Sequence, residues 1–341
     1  MPTIYKMEEY IRRVQLTGRT TLSISLPKEW AAEIGLKPGS LVRLIPRSGL
    51  GLILTPDVLE ESRREARLLV KEDTKADTLL RELISIYLAG YDIIKIEFSV
   101  PQSYLKLYIK QNMRKKLMGM EILNESMMEM LLQCFAKHLE LPLEEALKRQ
   151  AELAASMQRD ATTSLLLGDR ELAEEVIQRD DEVDKLFYFI SRQLNLAAEL
   201  PQILHELKIK NAMACLSYAI ITKAIERIGD HASNIASISL NIDEKIDEEL
   251  AIEIKRLDEH VKNMFLESIG VLLKKDKKEA NILIEELEKV KKLHAELLEK
   301  IVKRKNNAKN TSLLRTALGA WTRIAEYSVD IAEQTIFLSL L

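Results

Sequence analysis

Glu226-Arg227-Ile228-Gly229-Asp230-His231-Ala232-Ser233-Asn234-Ile235-Ala236 decides how the larger part of this chain is read. Glu226 and Asp230 stand four residues apart, which on a helix places both carboxylates on one face, one turn apart. Gly229 sits between them, and glycine in a helix interior costs about 1 kcal/mol relative to alanine, so close packing or a ligand beside it is expected. Upstream, Asp180-Asp181-Glu182-Val183-Asp184-Lys185-Leu186 repeats the device with Asp180 and Asp184. Four carboxylates in two like-charged pairs repel unless they are solvated, protonated or bound to a cation. Facing one another across a helical bundle, they form an all-oxygen donor set that suits a hard cation. Acidic pairs at this spacing are also common on solvated helix faces, and spacing alone leaves that reading open. His231 is turned about 100° from Asp230, which makes it a poorer ligand and a better orienter of a neighbour.

Outward from these stretches, the pattern is helical from about 138 to the end. Helices are expected at roughly 141–167, 170–199, 203–240, 247–274, 276–304 and 310–338. Six helices in a three-plus-three order point to an internal repeat. Asp169-Arg170-Glu171-Leu172-Ala173 is echoed by Asp276-Lys277-Lys278-Glu279-Ala280, and Val183, Lys185 and Leu186 fall on Val290, Lys292 and Leu293. In the third helices, Arg227-Ile228 and Ile235-Ala236 fall on Arg323-Ile324 and Ile331-Ala332. That second alignment needs a shorter connection before the last helix. The acids do not repeat: Asp180, Asp184, Glu226 and Asp230 fall on Leu287, Lys291, Thr322 and Glu326. Any metal cluster is therefore confined to the first copy, with the second copy structural.

The two acidic stretches together resemble the second- and third-helix signatures of the PhoU family, over about 138–341. The resemblance implies two three-helix bundles in tandem, repeat 1 at about 138–242 and repeat 2 at about 245–341. It also implies metal ligation by Asp180, Asp184, Glu226 and Asp230. The ion would be divalent or trivalent, with magnesium, manganese, iron and zinc all open. The implied role is regulation of phosphate uptake and homeostasis, with a phosphate transporter or sensor kinase as partner.

Before this part, residues 10–56 read as strands at Ile11–Leu16 and Thr20–Leu26 and a short helix Lys28–Ile34 opened by Pro27 and ended by Gly35. A hairpin Leu41–Ile45/Leu50–Leu54 then turns at Ser48-Gly49. So few residues are small for an independent core. Arg12-Arg13-Val14, Gly18-Arg19, Leu26-Pro27-Lys28-Glu29 and Ile34-Gly35-Leu36-Lys37-Pro38-Gly39-Ser40 resemble the AbrB/SpoVT swapped-hairpin domain. That resemblance implies a homodimer of interlaced hairpins. It also implies DNA contact through Arg12, Arg13 and Arg19, which match basic positions of the family's binding face and suit phosphates. The short helix departs from DNA-binding members, carrying Ala31 and Ala32 where paired arginines are often found. Residues 57–135 read as an α+β connecting layer, with strands at Ala66–Val70, Asp92–Phe98, Met120–Leu123 and Met128–Leu132 and helices at Lys75–Tyr91 and Ser103–Leu117.

The fold class is thus multidomain α+β. A β-rich swapped-hairpin domain occupies 1–56, a small α+β layer 57–135, and an all-α tandem pair of three-helix bundles 136–341. The 341 residues carry 50 basic and 53 acidic side chains, so no global field advertises a polyanion partner. The first 56 residues are locally basic. Two cysteines, Cys134 and Cys215, stand outside any C-x-x-C motif and fit a reducing compartment. No stretch of about 18 apolar residues exists and no signal peptide is read, so a cytoplasmic protein that is not integral to a membrane is expected. No P-loop, nucleophile elbow or separate general base accompanies the acids, which argues against an enzyme. The resulting reading is a metal-binding phosphate-uptake regulator that also contacts DNA. The alternative is a protein–protein regulator of a transporter or kinase with no DNA role, which failure to bind any DNA at low salt would favour.

Overall fold

The computed structural model describes residues 9–47, 51–56, 64–136, 141–243, 245–304 and 307–341. The chain divides into two compact units, Met1–Ser62 and Arg63–Leu341.

In the first unit, β1 (Gln15–Thr17) pairs antiparallel with β2 (Thr21–Ser23), and β3 (Val42–Arg47) pairs antiparallel with β4 (Gly51–Pro56). Between the pairs lies α1 (Lys28–Glu33), begun at Pro27 and ended by Gly35, whose φ of +73° is the left-handed conformation glycine adopts without strain. The first two strands are shorter than the alternation at Ile11–Leu16 and Thr20–Leu26 predicts. Ile11, Val14, Leu22 and Ile24 are all exposed, so no described part of the chain covers the apolar sides that would extend the ladder. The expected turn at Ser48-Gly49 lies outside the described residues. No described side chain of this unit is buried.

The second unit opens with β5 (Glu65–Val70), α2 (Ala76–Leu88), β6 (Ile93–Phe98), α3 (Ser103–Lys116), β7 (Met120–Glu125) and β8 (Glu129–Cys134). The sheet order is β5-β6-β8-β7. The helical crossover makes β5 and β6 parallel, and β8 then runs antiparallel between β6 and β7. Alternation sends Leu68, Val70, Ile94, Ile96, Met130 and Leu132 to one face, where they share a core with Leu79, Leu83 and Tyr87 of α2 and Ile109 and Met113 of α3.

The helical part comprises α4 (Leu143–Leu167), α5 (Arg170–Glu199), α6 (Pro201–Glu206), α7 (Ala212–Ser239), α8 (Glu248–Lys274), α9 (Lys277–Lys303) and α10 (Ala308–Leu340). Side chains cap five of these starts: Asp169, Asn211, Asp247, Asp276 and Asn307 each accept from a backbone N–H of the first turn. The helix expected over 203–240 is two helices. Pro201 starts α6, Lys208 takes a φ of +55°, and extended Asn211 caps α7, so the longer connection in the first repeat is filled by one short helix. In the second repeat α9 ends at Lys303 and α10 begins at Ala308. One continuous core runs from Leu143 to Leu338, joining both bundles.

Candidate metal centre

Helix α5 carries Asp180 and Asp184, and α7 carries Glu226 and Asp230. The helices meet closely at Gly229: a Cβ built there would stand 3.2 Å from Val183 Cγ1 and 3.6 Å from Asp180 Oδ1. The absent side chain lets Asp180 reach the turn between Glu226 and Asp230. Asp180 then feels all three of the other acids. Burial first, and then Asp184, Asp230 and Glu226, push its pKa up to about 7. Burial also raises Glu226, against the pull of Lys223, and raises Asp230, against the pull of Arg227.

Three cations serve the four acids. Lys116 Nζ lies 2.7 Å from Asp184 Oδ2, Lys223 Nζ 2.5 Å from Glu226 Oε1, and Arg227 Nη1 3.1 Å from Asp230 Oδ2. Glu226 is 8% exposed, and its Oε2 is buried with no hydrogen-bond partner. Among the described residues no cation pairs with Asp180. Also among them, no group of three or more His, Cys, Asp and Glu side chains is spaced to hold a metal ion as the side chains stand. The chemistry of the donor set nevertheless fits a hard cation: carboxylate oxygens only, one of them buried without a hydrogen bond and only loosely paired with Arg227 Nε at 3.8 Å.

His231 stacks on Tyr327 of α10 with ring centroids 5.8 Å apart, a contact that joins the two bundles. Burial, followed by Arg323, lowers its pKa. The sequence reading passed over the three cations. Lys223 was legible as the i, i+3 partner of Glu226. Lys116 comes from α3, outside the bundle, and no local pattern announces it.

At the matched positions of the second repeat, Leu287 packs against the core and Lys291 pairs with Glu288 at 2.7 Å. Thr322 Oγ1 shares a hydrogen bond with His294 Nδ1 at 2.6 Å, and Arg323 pairs with Glu326 at 2.6 Å. In the N-terminal unit, Arg12, Arg13 and Arg19 are exposed. The Arg12 guanidinium lies 5.5 Å from the Tyr10 ring centroid, and Arg19 sits in the turn between β1 and β2. Among the described residues no helix is long and apolar enough to cross a membrane.

Comparison with known proteins places these features. A profile of the PhoU domain matches residues 147–239 and 254–335, just over half of the chain. A profile described as "Antidote-toxin recognition MazE, bacterial antitoxin" matches 15–62, so a MazE/AbrB-type domain stands at the N-terminus. Two curated relatives are each named phosphate-specific transport system accessory protein PhoU homolog. The one from Caulobacter vibrioides is 32% identical over 96 residues, which span 28% of this chain and 39% of that protein. The one from Aquifex aeolicus is 30% identical over 162 residues, spanning 47% of this chain and 71% of that one. The crystal structure of PhoU from Pseudomonas aeruginosa superposes with a TM-score of 0.51 at 21% identity, covering 57% of this chain and 94% of that one, which establishes the shared fold.

Proposed function

The chain belongs to the PhoU family, and on that premise we propose that it is a cytoplasmic, non-enzymatic regulator of phosphate uptake whose first bundle binds a metal ion. The observation that carries this reading is the meeting of α5 and α7 at Gly229, where four carboxylates share one field and Asp180 has no cation of its own among the described residues. Asp180, Asp184, Glu226 and Asp230 would hold the ion, which supplies the positive charge the cluster lacks. Magnesium, manganese, iron and zinc are all compatible with the carboxylate set. The relatives' names tie them to phosphate transport, and a phosphate transporter or its sensor kinase is the partner we assign to this chain.

The N-terminal unit supports a homodimer. Ile11, Leu16, Leu22, Ile24, Leu41 and Leu44 are exposed and no described side chain of the unit is buried, so one copy makes no core. Interlaced hairpins from two copies would cover these residues. Arg12, Arg13 and Arg19 then remain available for DNA phosphates. The second reading, docking to protein with no DNA, draws on α1, whose Ala31 and Ala32 offer no positive charge to a phosphate backbone and whose Glu33 would repel it.

Elemental analysis tests the metal reading. Full-length protein offered manganese, iron and magnesium should retain metal, and a folded Asp180→Ala/Glu226→Ala variant should lose it. If both preparations are metal-free, the acids are only a charged face and the metal mechanism fails.

A further inference from the structure

Resting on the metal reading above, we propose that Lys116 is a built-in competitor of the metal ion, so that loading the cluster loosens the end of α3 on α5. The last turn of α3 is Arg114-Lys115-Lys116 and lies directly on the acidic stretch of α5. Lys116 Nζ stands 2.7 Å from Asp184 Oδ2 and 3.5 Å from Asp181 Oδ1, Lys115 Nζ is 3.3 Å from Asp181 Oδ2, and Lys185 Nζ donates to the Arg114 carbonyl at 3.0 Å. The Lys116 and Asp184 side chains are only 21% and 17% exposed, so solvent screens this pair weakly. The ammonium holds Asp184 Oδ2, one of the two oxygens this carboxylate could offer an ion. An ion on that same oxygen, at about 2.0–2.6 Å, would lie within a few ångströms of the ammonium. Two cations that close in a partly dry site repel strongly. Each cation therefore weakens the hold of the other on Asp184.

The α+β layer has a second hold on α5, and it does not involve the cluster. Arg192, 4% exposed, donates to the carbonyls of Tyr87 at 2.6 Å and Tyr91 at 2.9 Å and to Asp92 Oδ1 at 2.8 Å. Asn195 donates to the Leu88 carbonyl at 2.9 Å, and Arg64 pairs with Glu199 at 2.6 Å. This seam stays closed whatever binds at Asp184. Loading thus removes the Lys116–Asp184 tie from the first seam, leaving the Lys115–Asp181 pair and the Lys185 bond to the Arg114 carbonyl to hold it, and leaves the second seam whole. The α+β layer reads the occupancy of the cluster through Lys116, which gives residues 64–136 a role that the helical fold alone does not.

Calorimetric titration of manganese into full-length wild type, Lys116→Met and Lys115→Ala decides the matter. Lys116→Met keeps the apolar stem and removes the charge, and should bind manganese about tenfold or more tightly, the size of effect a charge a few ångströms away has on a site. Lys115→Ala, which removes a charge that touches only Asp181, should stay within about twofold of wild type. Hydrogen exchange of the unmutated protein gives a second readout: manganese should speed exchange near the end of α3 and leave residues 87–92 unchanged. Equal or weaker binding by Lys116→Met, with exchange in α3 unmoved, overturns the competition and leaves the metal site standing. Binding by Lys116→Met alone supports competition in its strongest form. If no protein of the set binds manganese, the metal site and the competition both fall.

Discussion

The two three-helix bundles share a fold and differ at four matched positions. In the second, Leu287 packs on the core, Lys291 and Glu326 have ion-pair partners in Glu288 and Arg323, and Thr322 is hydrogen-bonded to His294. Each group there finds its partner within α9 and α10. In the first, Asp184 depends on Lys116 from outside the bundle, and Asp180 has no direct ion-pair partner among the described residues, feeling Lys116 only at a distance. A bundle of this kind therefore closes without the acids. Where they occur their burial and mutual repulsion oppose the charged form, which is the cost the metal proposal would account for.

A buried carboxylate elsewhere shows what a structural acid looks like. Asp258 of α8 is 4% exposed, and its Oδ1 accepts from Gln158 Nε2 at 2.9 Å, Thr162 Oγ1 at 2.8 Å and Trp321 Nε1 at 3.0 Å. It thus fastens α4 of the first bundle to α8 and α10 of the second. The largest effect expected follows from removing it: Asp258→Ala deprives three buried donors of their shared acceptor, leaving Trp321 only Thr162 Oγ1 and Gln158 only the residue 258 carbonyl, and should lower unfolding free energy by about 3 kcal/mol. A loss under about 1 kcal/mol in denaturant would erase the contrast between structural and functional acids. Burial raises the Asp258 pKa despite these three donors. The folded chain then keeps the proton to higher pH than the unfolded chain. That contribution is complete below the unfolded value of about 3.9 and is lost as pH rises through the folded one. Asp258→Asn keeps an acceptor and abolishes the titration, so its melting temperature relative to wild type should climb from pH 4.5 to 7.5.

Copying the second bundle into the first breaks the comparison directly. Asp180→Leu/Glu226→Thr installs the residues found at the matched positions 287 and 322. It removes the carboxylate without a cation and the one with a stranded oxygen. Metal-free protein should gain about 1–2 kcal/mol, in line with the replacement of buried charge by apolar packing, while metal retention is lost. If the variant melts lower than wild type, the acids contribute to the fold and the functional inference from their asymmetry collapses.

Much of this asymmetry was legible before any coordinates. The i, i+4 acids, the glycine among them and their replacement at 287, 291 and 322 are local patterns. So are the six elements of the α+β layer, each near its expected place. Pairing was not legible: β8 inserts between β6 and β7 because strand order depends on contacts far apart in sequence. The break between α6 and α7 was missed because Lys208, rather than a glycine or asparagine, takes the left-handed conformation. Asp258 stands in the charged stretch Lys255-Arg256-Leu257-Asp258-Glu259, where no local pattern marks it for burial, and Lys116 lies 68 residues from the aspartate it neutralises. In the N-terminal unit, alternation continued past the residues that actually pair, since pattern records what a strand is suited to cover and not what is there to be covered.

Gly229 gives the finest division between the bundles. Its counterpart Ala325 is fully buried, so α10 holds a methyl group where α7 has none. In α7 that methyl would press on Val183 at 3.2 Å and meet the Asp180 carboxylate at 3.6 Å. Gly229→Ala gains up to about 1 kcal/mol of helix propensity. Moving Val183 by a few tenths of an ångström offsets part of that gain. The net change in stability should therefore stay below about 1 kcal/mol, whereas manganese affinity should fall by severalfold as Asp180 is pushed out of line, a displacement of the kind that loosens a preorganised site. Melting and titration of the same preparation separate the two terms. Unchanged affinity with a gain in stability would mean that the glycine serves neither packing nor the acids. A loss above about 2 kcal/mol would mean that it serves packing alone, and the difference between Gly229 and Ala325 would then belong to the fold rather than to the site.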